Sequence, residues 1–303
     1  MRAVVCSYIN PDLDGVACSI AAEILEHPKW SACVLGALDA ETSLVLHDLG
    51  FTFPPSVNGW DAVDEIWLVD THHASQLPPD LPESRVTRIT DHHSGGNPSR
   101  YANADIQNEN VGAAATLVAE RFLDSNVTIP VDVAMLLQAA IVSNSLNFRA
   151  PATSPRDRNA YANLRNIKPL PDTMFDRMQE ARRATLHGET RSILRADTKR
   201  FETDYGSVIV SQLEAAGALE LLGRMDLKAS LEELAEAADC ASAILNVVDT
   251  ALGCSAVLAT DSRIANRVSE GLHQSQDGDG VIRTERLLQR KSDIVPHIMG
   301  IRS

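Results

Sequence analysis

Three short apolar, β-branched runs in the N-terminal part of the chain each stop on side chains that carry charge or a ring nitrogen. Residues 3–9 run into Asn10-Pro11-Asp12-Leu13-Asp14-Gly15, residues 65–70 end on Asp70 before Thr71-His72-His73, and residues 86–90 lead into Asp91-His92-His93. The last run breaks at Gly95-Gly96. Val, Ile and Thr favour extended backbone, and the glycines end it. Helical patterns at 16–25 and 41–49 lie between these runs. Strand and helix in alternation predict a parallel α/β sheet, which binds ligands beyond the carboxyl ends of its strands. Neighbours on a regular strand point to opposite faces, so His92 and His93 share a site only where the strand is already turning into a loop. From the residues alone, a surface cluster at a loop is equally open. A single acid suffices as a helix N-cap, so the Asp12/Asp14 pair exceeds that need. Acids arriving from three strand ends are hard to explain by capping, and carboxylates with imidazole suit Mn²⁺, Mg²⁺ or Fe²⁺.

Further along, residues 31–36 read as a strand, and 111–123 and 131–142 as helices. Prolines at 151–155 and 169–171 punctuate a helical region that extends to about Leu194. Beyond it the pattern is mixed, with strands at 199–203, 207–213, 243–248 and 255–259 and helices at 227–238 and 263–272. A boundary near 189–195 is expected, with domains at 1–190 and 195–303. The formal net charge of -14 argues against general affinity for a nucleic-acid duplex or an anionic membrane surface. No apolar run reaches the roughly 18 residues that span a bilayer, and the opening strand is too short for a signal-peptide core. Cys6, Cys18, Cys33, Cys240 and Cys254 are scattered without a CxxC pair. They read as buried free thiols in a reducing cytoplasm.

The ordered series Asn10-Pro11-Asp12-Leu13-Asp14, Val69-Asp70 and Asp91-His92-His93 resembles the signature of the DHH phosphoesterase superfamily. Further stretches are similar to family II, manganese-dependent inorganic pyrophosphatases: Ala40-Glu41-Thr42 ahead of Gly50-Phe51, and the segment from Ser143-Asn144-Ser145 to Pro151. Asp197-Thr198-Lys199-Arg200-Phe201, Val247-Val248-Asp249 with Ser255, and Gln289-Arg290-Lys291 through Pro296 extend the likeness over nearly the whole chain.

The resemblance implies a five-stranded parallel-sheet α/β domain, a smaller α+β second domain, and an active site in the cleft between them. It implies a metal-dependent phosphohydrolase that cleaves a phosphoanhydride, pyrophosphate or short polyphosphate, with metal-activated water. Asp12, Asp14, Asp70 and His92 would be metal ligands, with Asp70 bridging. His93 and Asp91 would be catalytic, His93 facing phosphate and Asp91 supporting it. Lys199, Arg290 and Lys291 would hold the substrate from the second domain. Mn²⁺ is the expected ion, with Mg²⁺ or Co²⁺ as alternatives, in one or two copies. A cytoplasmic homodimer is the expected setting.

Two positions depart from the family pattern. Tyr8 stands where the pyrophosphatases carry a histidine ligand, and Asn144 where they carry the last metal carboxylate. Both departures weaken the case for a tight dinuclear centre. His72 and His73 are either loop histidines or replacements for the lost nitrogen. The alternatives that remain are a phosphoesterase acting on nucleotides or short oligonucleotides, and a catalytically impaired homologue that binds a phosphate ligand.

Overall fold

A computed structural model describes residues 2–57, 59–125 and 127–299. Two compact units divide the chain, Met1–Met178 and Gln179–Ser303.

In the first unit, β1 (Ala3–Cys6), β2 (Trp30–Ala32), β3 (Glu65–Val69), β4 (Val86–Asp91) and β5 (Asp105–Asn108) form a wholly parallel sheet in the order β2-β1-β3-β4-β5. Alternate residues of a strand face opposite sides, and each side here has its own core. Ala3, Val5, Trp67 and Val69 pack under α1 (Leu13–Leu25), α3 (Ala114–Ser125) and α4 (Val131–Asn144). Val4, Cys6, Ile66, Leu68 and Ile89 pack on the other side against Trp60, Leu77, Leu81 and Tyr101. Strands β1 and β3 are neighbours although β2 intervenes in sequence, so the chain reverses direction across the sheet between them. Such a switch point leaves a crevice at the strands' carboxyl ends. The turns carrying Asp12 and Asp70 open there.

Strand β5 has no apolar run because it is a largely exposed edge, Asp-Ile-Gln-Asn, and its residues were not legible as a strand. Strand β2 ends at Ala32 rather than Gly36; beyond it only isolated bridges continue, Val34 to Ser56 and Leu35 to Ile9. Helix α3 starts at Ala114 rather than Val111, because the preceding backbone is spent on tertiary hydrogen bonds. Cys6, Cys18 and Cys33 are buried free thiols as expected, whereas Cys240 and Cys254 are only half-buried.

In the second unit, β6 (Thr198–Thr203), β7 (Gly206–Ala215), β8 (Ser242–Asp249), β9 (Cys254–Ala259) and β10 (Ile282–Thr284) form a mixed sheet in the order β10-β9-β8-β7-β6. Only β7 and β8 run parallel, linked through α8 (Leu227–Ala237). The change of pattern near residues 189–195 falls inside this unit. Leu186, Ile193 and Leu194 pack in its core with Leu231 and Leu245, so the helical segment before β6 goes with the sheet that follows. Among the described residues, no helix is long and apolar enough to cross a membrane.

Asp157 ties α5 (Pro155–Ile167) to the segment entering α3. Its buried carboxylate accepts from Gly112 N at 2.8 Å, Thr116 Oγ1 at 2.6 Å and Ser154 N at 2.7 Å. Burial alone would raise its pKa; the Thr116 and Ser154 donors outweigh that and lower it. Asp157→Ala is expected to lower stability by about 2–4 kcal/mol at neutral pH, since several buried donors lose their acceptor. The native pKa is depressed, so the carboxylate's contribution is full above the unfolded carboxyl range and is lost as pH falls through the native value. Urea unfolding of both proteins from pH 7 to pH 3 should show the gap narrowing only at the acid end.

Candidate metal centre

The turn after β1 brings the backbone back so closely that a Cβ at Gly15 would meet Ser7 Oγ at 2.4 Å, which leaves glycine as the residue that fits. Asp12 caps α1, its Oδ1 accepting from Asp14 N at 3.0 Å and Gly15 N at 3.2 Å. Asp12 N in turn donates to the hydroxyl of Tyr8 at 3.3 Å. Asp14 is fully buried in the first turn of α1 and reaches across to the start of α3. Its carboxylate accepts from Ala114 N at 2.7 Å, Ala115 N at 2.8 Å and Asn144 Nδ2 at 3.0 Å. Burial pushes the Asp14 carboxyl up and the neighbouring Asp70 carboxylate pushes it further, well above the usual carboxylate range.

Asp70 closes β3 at φ 57°, a left-handed conformation that Asp tolerates better than most residues, with its N–H bonded to Thr90 O at 2.8 Å. The left-handed turn swings its carboxylate towards the end of β4. There Asp91, with no exposed surface, organises the histidines. Its Oδ1 accepts from His92 N at 2.7 Å, His93 N at 3.1 Å and His93 Nδ1 at 2.8 Å, and its Oδ2 from His72 Nδ1. Burial would raise the Asp91 pKa; the His93 and His72 imidazoles outweigh it and hold the carboxyl well below the usual range.

His92 Nδ1 faces Val111 O at 2.8 Å, a carbonyl that can only accept, so the proton sits on Nδ1 and the Nε2 lone pair points inward. That lone pair lies 3.2 Å from Asp70 Oδ1 and 3.9 Å from Asp14 Oδ2. Acceptors this close call for positive charge between them, a proton or a cation. Asp70, His92 and His93 form a group able to hold an ion. His93 Nδ1 is 3.7 Å from Asp70 Oδ1 but already donates to Asp91, so within that group Asp70 and His92 are the members whose donor atoms face the centre. Carboxylate oxygen with imidazole nitrogen suits a divalent ion such as Mn²⁺. The residues present fit such a group at this position.

His72 takes another place. Its Nδ1 bonds Asp91 Oδ2 and its Nε2 lies 2.7 Å from Gly95 O, so both nitrogens face oxygen and neither lone pair is available to an ion. Burial disfavours its charged form, but Asp91 and the Gly95 carbonyl outweigh that and raise its pKa. Gly96, at φ +71°, leaves the room; a Cβ there would meet His72 Nε2 at 2.6 Å. His73 stacks on His72 with ring centroids 4.4 Å apart and reaches Ser94 O at 3.2 Å.

Of the cations expected to hold substrate, Arg290 is buried within the second unit. Its guanidinium donates to Asp197 O at 3.0 Å, Asp197 Oδ1 at 2.8 Å and Val210 O at 3.3 Å. Lys199 on β6 stands opposite Val210 of β7, and Lys291 follows Arg290 in the wide turn Arg290–Ile294. The three cations are therefore grouped by one sheet edge and one turn.

Comparison with known proteins agrees with this architecture. Residues 2–141 match the DHH family N-terminal domain and residues 176–301 the DHHA2 domain. A Deinococcus radiodurans protein named a manganese-dependent inorganic pyrophosphatase is 27% identical over 304 residues, covering 96% of each chain. A Lactobacillus johnsonii protein of the same name is 25% identical over 307 residues, covering 97% of each. The crystal structure of a Methanococcus jannaschii protein described as a family II inorganic pyrophosphatase superposes with a TM-score of 0.84 at 23% identity, covering 99% of both chains. The chain thus carries a DHH family N-terminal domain followed by a DHHA2 domain, and in that two-domain order and fold it resembles family II inorganic pyrophosphatases.

Proposed function

We propose that the chain hydrolyses a phosphoanhydride, pyrophosphate or a short polyphosphate, with a divalent metal, Mn²⁺ first among the candidates. The observation that carries this reading is the approach of His92 Nε2 to Asp70 Oδ1 at 3.2 Å, with His92 Nδ1 already committed to Val111 O. Asp70 and His92 would hold the ion, with Asp12 and Asp14 flanking them from the turn after β1. A divalent ion so held would lower the pKa of its bound water towards neutrality and draw charge from phosphoryl oxygens.

The chain's own groups supply the rest. Asp91 fixes His93 through Nδ1 at 2.8 Å, so the doubly protonated ring would carry its second proton on Nε2 and could give it to a phosphoryl or leaving oxygen. His72, held between Asp91 and Gly95 O, keeps that carboxylate in place. Lys199, Arg290 and Lys291 are the cations proposed to meet phosphate, Arg as a planar donor fork and Lys as a point charge.

Phosphate release from pyrophosphate, tripolyphosphate and dinucleotides, with Mn²⁺, Co²⁺ and Mg²⁺ in turn, tests the substrate class. Pyrophosphate with Mn²⁺ is expected to be fastest, and chelation to stop it. Ion binding without turnover of any of them would favour the non-catalytic homologue to which Tyr8 and Asn144 point. Asp70→Asn is expected to weaken Mn²⁺ binding by at least about tenfold in calorimetric titration, since the loss of even supporting groups around a metal has effects of that size. His93→Gln is expected to lower kcat by about 10²–10⁴-fold, the usual worth of a positioned acid, while retaining the ion. The homodimer expectation rests on family likeness; light scattering should give twice the 32.8 kDa chain mass.

A further inference from the structure

Asn144 closes α4, and its amide nitrogen lies at the meeting point of three acceptors from different parts of the first unit. Nδ2 is 3.0 Å from Asp14 Oδ2 on α1, 2.9 Å from Gly112 O before α3, and 3.4 Å from His92 Nε2 at the end of β4. The Asp14 carboxylate and the Gly112 carbonyl converging on one point describe a place for positive charge, while the His92 lone pair beside it lies 3.2 Å from Asp70 Oδ1. Here that point is filled by an –NH₂ group, whose two hydrogens serve Asp14 and Gly112. The amide's orientation is dictated by these neighbours. Turned over, Oδ1 would face the Asp14 carboxylate and the Gly112 carbonyl, three acceptors with no donor among them.

Asp14 is correspondingly committed. Oδ1 receives Ala115 N at 2.8 Å and lies 3.7 Å from Cys18 Sγ, while Oδ2 receives Ala114 N at 2.7 Å and Asn144 Nδ2 at 3.0 Å. Both oxygens already have two neighbouring donors, and the carboxylate sits at the amide end of α3, where negative charge is favoured.

We infer that the Asn144 amide is a built-in neutral occupant of one cation position, so that this chain carries a single resident divalent ion, at Asp70 and His92, while Asp14 serves as the hydrogen-bond acceptor that caps α3. This deepens the reading of a metal-dependent hydrolase and rests on it only for the existence of the ion. An ion placed between Asp14 and Gly112 O would have to displace Nδ2 and leave Gly112 O without its donor. Asn144→Asp should reverse the arrangement. A third carboxylate beside Asp14 and Asp70 is repulsive in the absence of metal and attractive in its presence.

The test counts ions rather than turnover. The purified full chain is titrated with Mn²⁺ calorimetrically and examined by electron paramagnetic resonance. The native protein is expected to bind one Mn²⁺ per chain and give an uncoupled six-line spectrum. Asn144→Asp is expected to bind two, to show exchange coupling between them, and to melt below the native protein in chelator but not in excess Mn²⁺. Two tightly held, coupled ions in the native protein would overturn the inference, whatever the hydrolysis assay shows. A variant that folds and still takes one ion would overturn it too. Should the variant not fold, the native count and spectrum decide alone. One ion without pyrophosphate hydrolysis would sink the proposed activity and leave the inference standing.

Discussion

The Asp91 carboxylate holds the site together. Four N–H donors converge on it, from the His92 and His93 backbone, the His93 ring and the His72 ring. By accepting the backbone N–H groups of the two following residues, it bends the chain out of the β4 ladder at that point. The bend overrides the strict alternation of a strand and lets adjacent His92 and His93 approach the same carboxylate, Asp70. A buried carboxylate is costly unless it is bonded, and this one has no exposed surface. Loss of any partner would therefore be felt by the others.

Around Asp91 lies a second set of contacts that fixes proton positions. Val111 O selects the His92 tautomer, and Gly95 O holds the far nitrogen of His72. Segment 111–116 that supplies Val111 O is itself held by Asp157, and its last amides are held by Asp14. Side chains of α1, α4 and α5 thus converge on the start of α3 and the residues just before it through hydrogen bonds as well as through apolar packing. Such nesting explains why the start of α3 is delayed. Val111 and Gly112, which could have been helical, serve instead as tertiary donors and acceptors.

The second unit shows the same economy on a different sheet. Arg290 is bound to Asp197 and to the backbone of β7, so its orientation is set before any ligand arrives. A guanidinium fixed in this way would lose little rotamer freedom in the proposed contact with phosphate, at the cost of sharing its donors with Asp197.

Much of the architecture was legible in the residues. Alternating apolar runs and helical periods placed β1, β3, β4 and most helices, because burial of side chains on a sheet or helix face is a property of sequence spacing. The Asp12, Asp14, Asp70, Asp91, His92 and His93 set was legible as acids and imidazoles at strand ends. Edge strand β5 was not, since a strand exposed on both faces needs no apolar pattern. Tertiary structure alone decided what each polar group does. His72 and His73 look alike in sequence, yet His72 is pinned at both nitrogens by partners 19 and 23 residues away, whereas His73 stacks on its ring. Asp12 and Asp14 look like a pair, yet Asp12 caps its own helix and Asp14 reaches α3, 100 residues on. The reason is physical. Backbone carbonyls and amides are the same in every residue, so which of them meets a given imidazole, carboxylate or amide is settled only when distant segments are folded together.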